Sequence, residues 1–410
     1  MRKLEFNERV NVAQKHKNAY SGGILGALKA LSHGGVVAIR DRRNETAVKF
    51  LNKSLGPVKG GGVDYVNLVL ELFVDQGHPT EDLLTASPDY LENCASKLKS
   101  FWENLSKEER ADCDAAKKVI LQLFDYDKFC SGQGLKFFVD DKFGPYIEWV
   151  ALADWSAWHL IRALDVDACA YCNADAVFAL CINQKVPGKD VTFAQQLSEQ
   201  DAAGEDGTDV HTAEQHKRSP LDHFYVRSEY PCLGLSLYNL VPACTRCNTN
   251  MKGSKEQDAV HYIHPYRESF DDGIRFYALF DDYASLMMAK NEPNVSLVFR
   301  SKHCKDRTLP ERAKASAEFF HLDEVYNQTY KREVVDAVRR IVAFPDSYWE
   351  DMRKRYPGID DVVVNRMLLG CSLNRQRINK ERFSKMICDL NDQLRSDCRK
   401  IAFAFARQSK

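Results

Sequence analysis

The sequence predicts an α+β protein that is mainly α. Three observations carry this reading: apolar residues at helical spacing toward both ends of the chain, strand-like alternation between residues 273 and 300, and two CxxC pairs around a short polar centre. The chain of 410 residues has room for two or three domains, and 44% hydrophobic with 28% charged residues describes an ordinary soluble globular protein.

Residues 1–160 read as a helical N-terminal region. Val66, Leu68, Val69, Leu72 and Phe73 recur near helical spacing, as do Leu91, Leu98, Phe101 and Trp102. Ser106, three residues before Glu109, has the form of a capping box. The glycine clusters Gly22-Gly23, Gly34-Gly35 and Gly60-Gly61-Gly62 lack the Gly-Lys-Ser/Thr ending of a phosphate-binding loop and read as turns or linkers. No nucleotide-binding loop is visible.

Residues 161–270 hold the chemical centre. Within them, residues 176–182 are apolar and short, as a strand of a knuckle hairpin would be. Residues 184–219 are rich in Asp, Glu, Gln, Gly and Ala and poor in large apolar groups, so they read as an exposed insertion with His211 and His216 in solvent. Residues 271–410 begin with two alternating runs, an antiparallel β extension, and continue as helices. Val334, Val335, Val338, Ile341 and Val342 make one apolar face, and Phe383, Met386, Ile387, Leu390 and Leu394 another.

Composition narrows the setting. The first residues, Met1-Arg2-Lys3-Leu4-Glu5-Phe6, show no apolar secretory core, and no apolar run approaches a membrane span. Thirteen scattered cysteines, an odd number, suit a reducing cytoplasm better than a disulfide framework. Cys94, Cys113, Cys130, Cys371 and Cys388 sit in helical stretches and read as core residues. Net charge is −1, but from residue 301 onward 23 Lys+Arg face 16 Asp+Glu. That excess is compatible with a nucleic-acid contact by the C-terminal part and equally with solvated helix faces.

Cys169-Ala170-Tyr171-Cys172 and Cys244-Thr245-Arg246-Cys247 are two knuckles with the two-residue gap that a tetrahedral structural Zn²⁺ accepts. Between and beside them lie Asp222, His223, Asn239 and Asn248, with Lys252-Gly253 close behind. A carboxylate, an imidazole and two carboxamides are the parts of a second site, for a hard cation. Cleaving a phosphodiester needs an activated water, a base for its proton and a cation for the developing charge. A near-neutral histidine is the natural base. Neighbouring strand residues point to opposite faces, so Asp222 can serve a metal while His223 serves a water. Mg²⁺ or Mn²⁺, keeping several waters, suits such sparse oxygen ligation.

This pattern resembles the HNH, or ββα-metal, nucleases. The resemblance implies a zinc-stapled ββα core flanked by helical regions, with His223 as general base and Asp222 and Asn248 as ligands of the catalytic cation. It also implies that Asn239 fixes the base-bearing loop. Asn250 is the fallback for Asn248, and Lys252 is either a phosphate contact or a surface lysine. The run from Asp222-His223-Phe224-Tyr225 to Tyr238-Asn239-Leu240-Val241-Pro242, with His264-Pro265-Tyr266 downstream, is similar to a bacterial HNH subgroup of phage-defence systems. In those systems, of the Septu kind, the nuclease pairs with an ATPase. Val226-Arg227 replaces the usual proline and lysine, and arginine keeps the charge. His261 and His264 read as packing or supporting residues, with a direct metal role for His261 as the alternative. The expected substrate is DNA. The alternatives are an RNA- or tRNA-cleaving nuclease and a non-catalytic zinc-containing nucleic-acid-binding subunit.

Overall fold

The computed structural model describes residues 1–6, 11–40, 50–74, 82–142, 144–184, 213–288 and 293–408. The fold is α+β, with many helices and small sheets. None of the described helices is long and apolar enough to cross a membrane.

The N-terminal part is not purely helical. After α1 (Val12–Ser32) come β1 (Val37–Arg40) and β2 (Phe50–Leu55), then α2 (Gly61–Phe73), α3 (Pro88–Glu103), α4 (Lys107–Leu123) and the short α5 (Tyr126–Cys130). A hairpin of β3 (Gln133–Asp140) and β4 (Gly144–Ala151) follows, then α6 (Ala157–Leu164). The strands form one sheet in the order β2-β1-β4-β3, in which β1 runs parallel to β4 and the other pairs are antiparallel. Helical expectation fails here for a physical reason. β1 has only four residues, and β3 buries just Gly134 and Leu135 fully, so neither displays a clean period of two. The aromatic and β-branched residues Phe137, Phe138, Val139, Tyr146, Ile147 and Trp149 were the available strand signal.

Gly22-Gly23 is likewise not a turn but lies inside α1. A Cβ on Gly23 would stand 2.4 Å from the Leu135 carbonyl oxygen, and one on Gly26 equally close to the Phe137 ring. These glycines let α1 press onto β3, where the Tyr20 hydroxyl donates to the Gln133 carbonyl at 2.7 Å. The capping box forms as read: Ser106 accepts from the Glu109 amide and Glu109 accepts from the Ser106 amide. Cys94, Cys113, Cys371 and Cys388 are buried, and Cys130 is half-buried.

The first cysteine knuckle follows α6. Beyond it β5 (Ala179–Gln184) pairs antiparallel with β6 (Ala213–Arg218). Most of the insertion read from composition, residues 185–212 with His211, lies outside the described residues. Residues 213–218 belong instead to the hairpin. There His216 is exposed and stacks on Trp158, with ring centroids 4.1 Å apart.

The centre is compact. β7 (Leu221–His223) pairs antiparallel with β8 (Leu240–Pro242), and the second knuckle leads into α7 (Arg246–Lys252), a helix wound with π-type hydrogen bonding. A single turn, α8 (Phe270–Gly273), opens the antiparallel pair β9 (Ile274–Phe280) and β10 (Val295–Ser301), which matches the alternation in the sequence. After α9 (Tyr283–Met288), between those strands, helices complete the chain: α10 (Leu309–Phe319), α11 (Leu322–Glu324), α12 (Lys331–Ala343), α13 (Asp346–Arg355), α14 (Asp361–Leu369) and α15 (Ser384–Gln408), with the apolar residues of α12 turned inward as its spacing predicts. On β9, Phe276 and Ala278 donate backbone N–H groups to Asp389 and Gln393 of α15. Below them Lys385, Asp389 and Asp271 form a buried ionic network that Arg375 joins from its edge.

Candidate active site and metal centre

Cys169, Cys172, Cys244 and Cys247 are all buried, and their sulfurs lie within 4.8 Å of one another. The Cys172 and Cys244 sulfurs are 3.9 Å apart. Four thiolates about 2.3 Å from a tetrahedral Zn²⁺ stand about 3.8 Å apart, so the cluster is able to hold a metal such as zinc. Backbone amides support it: the Cys244 N–H donates to the Cys169 sulfur at 3.3 Å and the Cys247 N–H to the Cys244 sulfur at 3.4 Å. The Tyr326 hydroxyl anchors the first knuckle on the Cys172 carbonyl at 2.7 Å. Arg246, between the last two cysteines, reaches out to Asp175 and to the Tyr330 hydroxyl.

β7 presents two consecutive residues to different surroundings, as a strand must. Asp222 is buried. Its carboxylate accepts from the Tyr171 hydroxyl at 2.6 Å and from the Lys252 ammonium at 2.9 and 3.0 Å. Lys252 is itself only 2% exposed and also donates to the His223 carbonyl. Thus it is neither a surface lysine nor a phosphate contact but the counter-charge of Asp222. Burial lowers its pKa, while Asp222 works in the opposite direction. The Tyr171 hydroxyl is pushed up by burial and by the adjacent carboxylate.

His223 faces the other way and is half-buried. Its Nε2–H donates to the Gly234 carbonyl at 3.0 Å, which fixes the tautomer. Its Nδ1 makes no bond to any described residue. Tyr126 packs edge-to-face with the ring, centroids 4.7 Å apart. Burial holds the imidazole down to about 3, with Arg227 and Lys252 acting in the same sense against the Gly234 bond. The ring is therefore neutral at physiological pH.

Asn239 holds the loop between β7 and β8 closed. Fully buried, it accepts from the Tyr225 N–H at 2.7 Å and donates to the Tyr225 and Leu233 carbonyls at 3.1 and 2.9 Å. Leu233 precedes Gly234, so Asn239 sits one peptide from the carbonyl that orients His223. Asn248 begins the exposed face of α7, half-buried, and its side chain makes no hydrogen bond among the described residues. Asn250 on the same helix is exposed.

The remaining histidines separate. His264 is fully buried against Phe224, with centroids 4.3 Å apart, and burial lowers it to about 3. His261 is exposed and pairs with Asp258 at 2.8 Å. Sequence reasoning missed Tyr171, Tyr126 and Gly234. Each acts through a contact distant in sequence, and no local spacing signals it.

Asp222 and Asn248 are oxygen donors of the kind a hard cation accepts, and no hydrogen bond joins the two side chains among the described residues. Three of the roughly four lone-pair positions of the Asp222 carboxylate are engaged by Tyr171 and Lys252. Comparison with protein-family models, with curated proteins and with solved structures returns no match.

Proposed function

We propose that this chain is an HNH endonuclease that hydrolyses phosphodiester bonds of DNA with a divalent cation. The observation that carries the reading is His223. It stands at the end of a two-stranded ribbon that leads into a short helix, one ring nitrogen is fixed on the Gly234 carbonyl, and the other is unbonded among the described residues. An unprotonated ring nitrogen held in one tautomer can accept the proton of a water, which is the first need of a general base.

In this reading His223 Nδ1 takes the proton of the attacking water. Gly234 holds the tautomer and accepts the strengthened hydrogen bond of the imidazolium that results. Asn239 keeps the loop carrying that carbonyl from opening. Asp222 and Asn248 would hold Mg²⁺ or Mn²⁺, which supplies Lewis-acid stabilisation of the negative charge developing on phosphate and leaving oxygen. Tyr171 and Lys252 already engage much of the Asp222 carboxylate, so several waters would complete the shell. The four cysteines would hold a structural Zn²⁺ that fastens the head of α7 to the segment after α6. A partner ATPase and a role in phage defence follow from the resemblance in sequence alone, a cytoplasmic setting from the scattered cysteines, and all belong to the same proposal.

The test is cleavage of plasmid DNA by wild type and His223→Ala in Mg²⁺, Mn²⁺ or EDTA, with structured RNA and tRNA in parallel. Metal-dependent nicking lost in the variant supports the reading. Cleavage of RNA alone transfers it to the RNA substrate. Binding without cleavage of either polymer, with any neighbouring ATPase included, replaces it with a non-catalytic subunit.

A further inference from the structure

We propose that His16 is a positioning residue for His223, so that the N-terminal sheet-and-helix region, and not the cysteine-clamped centre alone, sets the geometry of the base; this rests on the nuclease reading above. His16 lies in α1, 0% exposed. Its Nε2–H donates to the Leu235 carbonyl at 2.6 Å, and its Nδ1 accepts from the Trp155 indole N–H at 3.0 Å. Both nitrogens are thus committed and the tautomer is fixed.

Two paths run from this ring to His223. The first is the backbone. Leu235 directly follows Gly234, so the two histidines hang on consecutive carbonyls of one loop. The same stretch is tied further to the N-terminal part. The Ser236 hydroxyl donates to the Leu83 carbonyl at 2.7 Å, and the Leu237 N–H to the Leu84 carbonyl at 2.8 Å. A Cβ on Gly234 would come within 3.3 Å of the Phe124 carbonyl, so the peptide is also confined from the end of α4.

The second path is through rings. His16 packs edge-on to Phe129 at 5.4 Å, Phe129 to Tyr126 at 6.4 Å, and Tyr126 to His223 at 4.7 Å. Every group on this path but His223 belongs to α1 or α5. The Gly234 bond sets the tautomer of His223, and the Tyr126 ring sets its tilt. His16 touches the support of both. A core histidine that merely satisfied a carbonyl would have no reason to lie on both paths.

The experiment compares wild type with His16→Leu and His16→Gln. Glutamine can donate to Leu235 and accept from Trp155, whereas leucine fills the space and does neither. Two readouts are taken on the full chain: kcat and KM for DNA cleavage, and the ring ¹⁵N signals of His223 after histidine labelling, assigned with His223→Ala. A displacement of about 1 Å at a reacting group costs about 100-fold. His16→Leu should therefore lower kcat roughly 10- to 100-fold with KM unchanged, and should shift the His223 signals away from a pure Nε2–H tautomer. His16→Gln should recover most of both. A leucine variant with kcat within about twofold of wild type and unchanged His223 signals overturns the proposal. If His16→Leu does not fold, Trp155→Phe, which removes only the donor to Nδ1, must show the same change in smaller measure, or the proposal fails. If wild type cuts nothing, the nuclease reading fails, yet the His223 signals still decide whether His16 positions that ring.

Discussion

Lys252 and Asp222 form an ion pair that is almost wholly inside the protein, with 1% and 4% of their side chains exposed and 2.9 Å between nitrogen and oxygen. A pair of this kind adds little net stability over apolar packing, but removing one partner strands the other charge. Lys252→Met should therefore destabilise the fold by about 3–5 kcal/mol. A surface lysine in an exposed pair would lose about 1 kcal/mol at most. Urea unfolding of the variant decides between the two. A loss below about 1 kcal/mol would mean that the pair does not form as described.

Asn239 offers a second test, because both ends of its carboxamide are used. Asn239→Asp keeps size and shape but sets acceptor against acceptor at the Tyr225 and Leu233 carbonyls. Each buried group left without a partner costs about 1–3 kcal/mol, so Asp should be worse than the smaller Ser, which admits water. The order of unfolding midpoints should be wild type, Ser, Asp. An Asp variant as stable as Ser would show that the loop is not held through the amide nitrogen.

What the sequence displayed and what it concealed divide by distance along the chain. The knuckles Cys169–Cys172 and Cys244–Cys247 are legible because metal geometry imposes a local two-residue gap, and Ser106–Glu109 because capping is a local hydrogen-bond exchange. The β9–β10 pair shows in the alternation of its own residues. By contrast, the four-stranded sheet pairs β1 with β4 across more than a hundred residues, and β1 is too short to show a period. Lys252 looks like a surface residue in any local window. Its burial depends on Asp222, thirty positions earlier. His16 meets Trp155 and Leu235, 139 and 219 positions away, and nothing near it in sequence says so. Local chemistry could be read, while the supports around it required the fold.

The cysteine cluster leads to a prediction about metal. If the four thiolates hold zinc, binding energy there is folding energy, because the site is absent from the unfolded chain. Purified protein should contain one zinc per chain by elemental analysis. A strong chelator, or Cys247→Ser, should lower the unfolding temperature by at least about 10 °C, given that about 1 kcal/mol moves even a domain of about 150–250 residues by roughly 2–4 °C and structural zinc supplies about 10 kcal/mol or more. Zinc-free protein with an unchanged melting curve would exclude a structural metal.

His223 should respond differently from every residue above. It is half-buried at the end of β7, and among the described residues its ring bonds only to Gly234, so His223→Ala removes one hydrogen bond and the base while leaving the cysteine cluster in place. Cleavage should fall by a factor of about 10²–10⁴, the usual share of a general base, with stability reduced by no more than about 3 kcal/mol. Zinc content should not change. A variant that retains wild-type cleavage, with contaminating nuclease excluded, removes His223 from the mechanism whatever the fate of the fold.

His16 makes the fold acid-sensitive in a direction that can be stated. Burial lowers its pKa from 6.5 to about 4 in the folded protein, against the bond to Leu235, which raises it. Between these values the unfolded chain binds the proton and the folded one does not, so falling pH favours unfolding. The contribution of neutral His16 is complete above pH 6.5, is lost progressively below it, and saturates near pH 4. Integrated to pH 5, the loss is about 2 kcal/mol. His264, lowered to about 3 by its own burial, adds a loss of the same sign. Metal affinity of the cysteine cluster also depends on pH, so the useful comparison is with His16→Gln, which cannot titrate. Urea unfolding at pH 7 and pH 5 should show the wild type losing about 2 kcal/mol more than this variant, while both retain the same sensitivity to chelator. Equal losses in the two proteins would mean that His16 is protonated as readily in the fold as out of it, and that its burial does not hold the ring neutral.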